Sequence, residues 1–151
     1  MPTIFVDVDN TDPNHKLFNG IKAGDLAKEA EAKIQEVTQR IVDKASGFTT
    51  KKPTDPKALK SLKGYFLIMS VAKVETDKRS AKCTLIGYIA QYPRMVDDKG
   101  ELEDLLVAMN MNATGSVQGM RNPVIACIEE LTESLVMQAL PVMRKLFATR
   151  P

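Results

Sequence analysis

Three carboxylates end the first apolar run of this chain. They are Asp7, Asp9 and Asp12, in the stretch Ile4-Phe5-Val6-Asp7-Val8-Asp9-Asn10-Thr11-Asp12. Alternation predicts a strand over 3–9, with Thr3, Phe5, Asp7 and Asp9 on one face and Ile4, Val6 and Val8 on the other. A strand that delivers acids to its C-terminal edge can offer a phosphate a nucleophile, a proton donor or a divalent-cation ligand. Other chemistry-bearing residues are sparse. The single histidine, His15, lies in a polar loop beside Asn14 and Lys16 and reads as solvated. Gly115-Ser116-Val117-Gln118-Gly119 precedes a helix, but lacks the lysine and the glycine spacing of a phosphate loop, and reads as a turn. Cys83 and Cys127 match no metal spacing and read as small buried hydrophobes, with a disulfide left open.

The segment Asp7-Val8-Asp9-Asn10-Thr11, after its apolar strand, resembles D-x-D-x-T, the first motif of the haloacid dehalogenase superfamily. That resemblance implies a magnesium-dependent phosphohydrolase. Asp7 would be the nucleophile that takes up the phosphoryl group, and Asp9 the general acid/base. A downstream acidic pair, here Asp97-Asp98, would complete a metal site with Asp7 and Asp9. Ser70, after the run Tyr65–Met69, and Lys73 stand where further motifs of that family would fall. The competing reading is structural. Ile4–Asp9 pairs with the rest of the sheet through Ile4, Val6 and Val8. Its acids then face solvent or a basic neighbour, without a parallel sheet to sit on.

The elements that must position these residues are legible to different degrees. From Asp25 to Ala45, Leu26, Ala30, Ile34, Val37 and Ile41 recur at helical spacing, with Ser46-Gly47 as the stop. Residues 48–63, with two prolines, predict a long polar loop. Residues 64–75 and 82–92 predict a β-hairpin around a polar turn at 76–80. Its strands are apolar on both faces. Tyr65, Leu67, Met69 and Val71 alternate with Phe66, Ile68, Ala72 and Val74, so both faces need cover. Leu105 to Met111 is ambiguous between helix and edge strand, and Ala113 to Gly119 predicts a break. Asn122 and Pro123 open a last helix lined by Ile125, Ile128, Leu131, Leu135 and Ala139; Pro141 predicts a kink or restart.

The 151 residues predict a single α+β domain, in the order β-α-β-β-(β or α)-α. Its small, mainly antiparallel sheet carries two long amphipathic helices on one face. A net charge of +2, with basic residues scattered among acids, excludes a strong nucleic-acid footprint. No apolar run is long enough for a membrane span, and no basic-then-apolar segment opens the chain, so a cytoplasmic protein is expected, with a place in a released particle left open. The expected function is non-enzymatic: a structural subunit that self-associates or packs into a larger assembly. By analogy of size and class alone, phage-tail-like and secretion-type particles use such subunits. The expected interface residues are Tyr65, Leu67, Met69, Tyr88, Met109 and Met111, from the two-sided hairpin and the methionine-rich segment 109–120. No cofactor is expected, magnesium entering only under the phosphohydrolase reading. The expected partner is protein.

Overall fold

A computed structural model describes residues 3–8, 25–94, 96–101 and 107–150. The elements are β1 (Ile4–Asp7), α1 (Asp25–Lys44), β2 (Phe48–Thr49), α2 (Pro56–Lys60), β3 (Gly64–Asp77), β4 (Ser80–Tyr92), β5 (Val107–Gln118) and α3 (Pro123–Ala148). The fold is α+β. One five-stranded sheet runs in the order β2-β1-β3-β4-β5.

α1 forms where its apolar period predicts. Ala30, Ile34, Val37 and Val42 are buried, while Lys33, Glu36 and Arg40 pair along the wet side. Gly47, at φ +84°, turns the chain straight into β2, and the Ile4 amide donates to its carbonyl. α3 opens as expected, with the Asn122 side chain accepting from the Ile125 amide and Pro123 at the first helical position. It does not restart at Pro141 but runs as one element to Ala148. The proline removes one intrahelical bond, yet Ala139 and Met143 on either side of it are fully buried. Tertiary burial outweighs the local penalty there.

The hairpin is tighter than the sequence suggests. Asp77 pairs with Ser80 across a two-residue turn, Lys78-Arg79, and an Asp77 carboxylate oxygen accepts from the Lys78 amide. β5 corrects two expectations together. The ambiguous segment is strand, and the strand continues through Ala113–Gln118 to end at Gly119 with φ +73°. Weak intrinsic propensity is overridden by pairing with β4 from Ser80 to Ala90. Gly115 is needed on this strand because a Cβ would stand 2.9 Å from a Leu131 methyl group, so the missing side chain lets α3 approach. The 48–63 segment is also not one loop, since it holds β2 and α2.

Nor is the sheet antiparallel throughout. β1 runs parallel to both neighbours, with Phe5 opposite Gly64 and Asp7 opposite Phe66. The helical connection through α1 makes the parallel β1–β2 pairing possible. Gly64 permits β1 and β3 to close, because a Cβ there would fall 1.8 Å from the Phe5 carbonyl oxygen.

The main core lies between sheet and helices. Tyr65, Leu67, Met69 and Val71 of β3 and Cys83, Leu85 and Ile89 of β4 share it with residues of α1 and α3. Cys83 and Cys127 are joined there in a disulfide, both sulfurs buried, which ties β4 to α3. The opposite sheet face carries a second cluster of Phe66, Ile68 and Ala90, with Tyr88 and Tyr92 against it. Tyr92 packs edge-on to Phe66 and Phe5 at 5.1 and 4.8 Å.

Candidate functional site

Asp7 ends β1 with parallel strands on either side, and it is 7% exposed, not solvated. Asp9, Asn10, Thr11, Asp12 and His15 lie outside the described residues. Ser70 is buried within β3, four residues beyond the partner of Asp7, and Lys73 follows a bulge with its ammonium 2.8 Å from Glu75. Asp97 belongs to its own turn, where one carboxylate oxygen accepts from the amides of Lys99 and Glu101 at 2.9 and 2.8 Å. Among the described residues, no three of His, Cys, Asp and Glu converge as a metal site needs, so Asp7, Asp97 and Asp98 do not form one together. A cavity of about 520 Å³ is lined by Thr3, Ile4, Gly47, Arg144 and Phe147. It opens at the N-terminal end of β1, the end away from Asp7.

The expected interface residues divide sharply. Tyr65, Leu67, Met69 and Met111 are buried in the chain's own core, beneath the helices. They are thus not available as a surface. The alternation that suggested an unmet face is met, on that side, by α3, with α1 packed against it. Burial pushes the Tyr65 phenol above its ordinary pKa, only partly opposed by Arg150, whose guanidinium lies 5.3 Å from the ring. Tyr88 is half-buried on the opposite face, and Met109 is 39% exposed on β5.

What remains open is an edge. Among the described residues β5 pairs with β4 alone. It is twelve residues long, and no charged residue or proline occurs from Val107 to Met120. The direction of its backbone groups follows from its end. The Gly119 amide donates to the Arg79 carbonyl at 2.8 Å, so residue 119 points at β4. Backbone groups of successive residues alternate in direction, and the register keeps step from Met109 to Gln118. Met111, Ala113, Gly115 and Val117 therefore turn their amides and carbonyls inward. Asn110, Asn112, Thr114, Ser116 and Gln118 turn theirs outward. The side chains of this outward set stand on the face away from the helices, where Thr114 bonds Thr84 at 3.0 Å between hydroxyl oxygens.

Beside the edge, α3 forms one wall of a shallow cleft of about 430 Å³ that includes Ser116, Gln118, Met120, Glu129, Glu130 and Glu133. The acidic wall is largely neutralised already. Glu129 lies 4.0 Å from Lys33, and Glu133 lies 3.2 Å from Arg40. The sequence carried a signal for this edge in its long uncharged stretch of alternating Met, Asn, Thr and Ser. The methionines alone suggest an interface, and the small and polar residues of 113–119 read as a break that conceals the strand's length.

Comparison with known proteins adds only weak likeness. No family model matches this chain, and no curated protein does. One solved structure, a protein from Caulobacter crescentus CB15 described as a lipoprotein, is 12% identical. The match covers 80% of this chain and 85% of that one, at a TM-score of 0.41. That likeness carries no argument about function. Among the described residues, no helix is long and apolar enough to cross a membrane.

Proposed function

We propose that this chain is a non-enzymatic assembly subunit whose joining element is the open edge of β5. One observation carries the reading: among the described residues, nothing pairs with the outward backbone groups of Asn110, Asn112, Thr114, Ser116 and Gln118, on a strand with no charge or proline to repel another strand. Proteins that remain single copies usually blunt such an edge with a lysine, a proline, a bulge or a covering element. After a register shift beside Val107, the regular edge from Met109 to Gln118 offers main-chain hydrogen bonds for affinity and alternate side chains for specificity. The test is Thr114→Lys, which places a charge in the middle of the edge and leaves the inward bonds intact. Light scattering is expected to show an assembly for the wild type and a 16.7 kDa species for the variant. A wild type that stays at 16.7 kDa at every concentration, alone and with its native cell extract, would refute the proposal.

One observation favours the phosphohydrolase as a second reading: β1 is flanked by parallel strands, with Asp7 at its C-terminal end. The residues described around Asp7 do not supply the magnesium site that this chemistry needs, so no catalytic step is assigned. If magnesium-dependent hydrolysis of a phosphomonoester is present and Asp7→Asn abolishes it, this second reading displaces the first.

The Cys83–Cys127 bond supports an oxidising compartment over the cytoplasm, where thiols are kept reduced. Protein recovered from its native cells and alkylated after denaturation, without reductant, is expected to carry no label at either cysteine. Labelling of both would restore the cytoplasmic expectation.

A further inference from the structure

Building on the β5 reading, we infer that the strand which completes this edge is β5 of a second copy, antiparallel about a two-fold axis at Thr114. Three observations select this occupant. The first is register. Antiparallel pairing through all five outward residues requires Thr114 opposite Thr114, Asn112 opposite Ser116 and Asn110 opposite Gln118. Any other register leaves outward groups at one end unpaired. The full register forms about ten backbone hydrogen bonds between copies. The second is chemistry. Every hydrogen-bonded pair it creates joins two neutral polar side chains, and the alternate pairs between them, such as Met111 with Val117, are uncharged as well. No like charges meet, as they would if this stretch were charged. On the helix side the same pairing covers Met109, which is 39% exposed in the single chain.

The third observation is the neighbouring charge. A basic peptide would be the rival occupant, drawn by the glutamates of α3. Two of the three are already held by Lys33 and Arg40, which leaves Glu130 as a weak attractant for an outside cation.

Closure follows from the other end of the sheet. β2 has two residues, and the amides that follow it are taken locally. Thr50 donates to the Asp43 carboxylate at 3.0 Å, and Lys51 donates to the Thr49 hydroxyl at 3.1 Å. A head-to-tail contact of β5 on β2 would grow an open filament, but β2 offers no strand to receive it. The isologous contact closes at a dimer.

The native cysteines are both in the disulfide, so an introduced cysteine is the only free thiol. Residues directly opposite in a hydrogen-bonded antiparallel pair have Cα atoms about 5.5 Å apart, within reach of a disulfide. Thr114→Cys is expected to link to itself under mild oxidation at micromolar protein. Asn112→Cys and Ser116→Cys are each expected to stay unlinked alone, since each lies about 13 Å from its own copy along the strands. Mixed together, those two are expected to link to one another. If the wild type assembles, Thr114→Lys dissociates it and Thr114→Cys still fails to link, the two-fold register is wrong while the β5 reading stands. If the wild type is 16.7 kDa throughout, both are wrong.

Discussion

The two edges of this sheet are built on opposite plans. The β2 edge is two residues long, and Lys51, Lys52 and Pro53 follow it directly. Its neighbouring amides are turned to Asp43 and Thr49, and Lys52 folds back so that its ammonium lies 6.0 Å from the ring centres of Phe5 and Tyr92. Length, charge, proline and side-chain capture all act to keep another strand away. Among the described residues, the β5 edge has none of these devices. Both edges belong to one sheet, so the contrast is not a limitation of the fold. On the function proposed above, β5 is the side through which this chain meets another.

Substitutions along the sheet test the contrast between its two edges. The largest effect falls where β1 meets β3, which holds the blunt edge in place. Gly64→Val puts its Cβ into the Phe5 carbonyl, and backbone cannot yield as a side chain can. A loss of about 3 kcal/mol or more is expected by urea denaturation. If stability is unchanged, the parallel β1–β3 pairing is wrong. Next comes the bond that braces the open half. Removing Cys83–Cys127 by a double alanine substitution frees a closed segment of 44 residues, with an expected loss of up to about 4 kcal/mol on chain entropy.

The sharper contrast lies within β5 itself. Ala113→Pro removes an inward amide bonded to β4 and is expected to destabilise the single chain by about 3 kcal/mol. Thr114→Pro, one residue on, removes an outward amide. Its effect on the single chain is expected to stay within about 1 kcal/mol, while dimer formation is lost. Equal effects of the two prolines in the single chain would overturn the assignment of inward and outward groups.

The smallest effect lies away from both edges, at Tyr65. The folded state holds the phenolic proton to higher pH than the unfolded chain, whose tyrosine titrates near 10.0. The unfolded state binds fewer protons above that pH, so wild-type stability should fall as pH rises through it. Tyr65→Phe should lose this part of the pH dependence. At pH 7 its stability should remain within about 1 kcal/mol of the wild type. A variant whose alkaline slope matches the wild type would show that Tyr65 is not its source.

The sequence disclosed those parts of the fold that repeat. α1 was legible from Ala30, Ile34 and Val37, and α3 from Asn122-Pro123 and the spacing of Ile125, Ile128, Leu131 and Leu135. The hairpin was legible because two apolar runs flank a polar turn. What stayed hidden was decided by contacts distant in sequence. β2 is too short to show a period, and its place beside β1 depends on α1 returning the chain. The parallel pairing of β1 rests on Gly64, whose role is visible only where Phe5 lies against it. The Cys83–Cys127 bond joins residues that no local pattern relates. β5 was half legible. Met109-Asn110-Met111-Asn112 alternates like a strand, but Gly115 looked like a break until α3 supplied the reason for it in Leu131. The acids of β1 are conspicuous in the sequence because carboxylates name a reaction. The edge is not, because a bare backbone has no residue type that marks it.

Amide hydrogen exchange along β5 reads the central claim most directly. The inward amides of Met111, Ala113, Gly115 and Val117 are protected by β4 in any state of assembly. If β5 pairs with a second copy, the outward amides of Asn110, Asn112, Thr114, Ser116 and Gln118 are protected as well, and protection runs unbroken along the strand. A strict alternation at high protein concentration, with every outward amide exchanging at the unprotected rate, would mean that the edge is bare in solution and that β5 joins nothing.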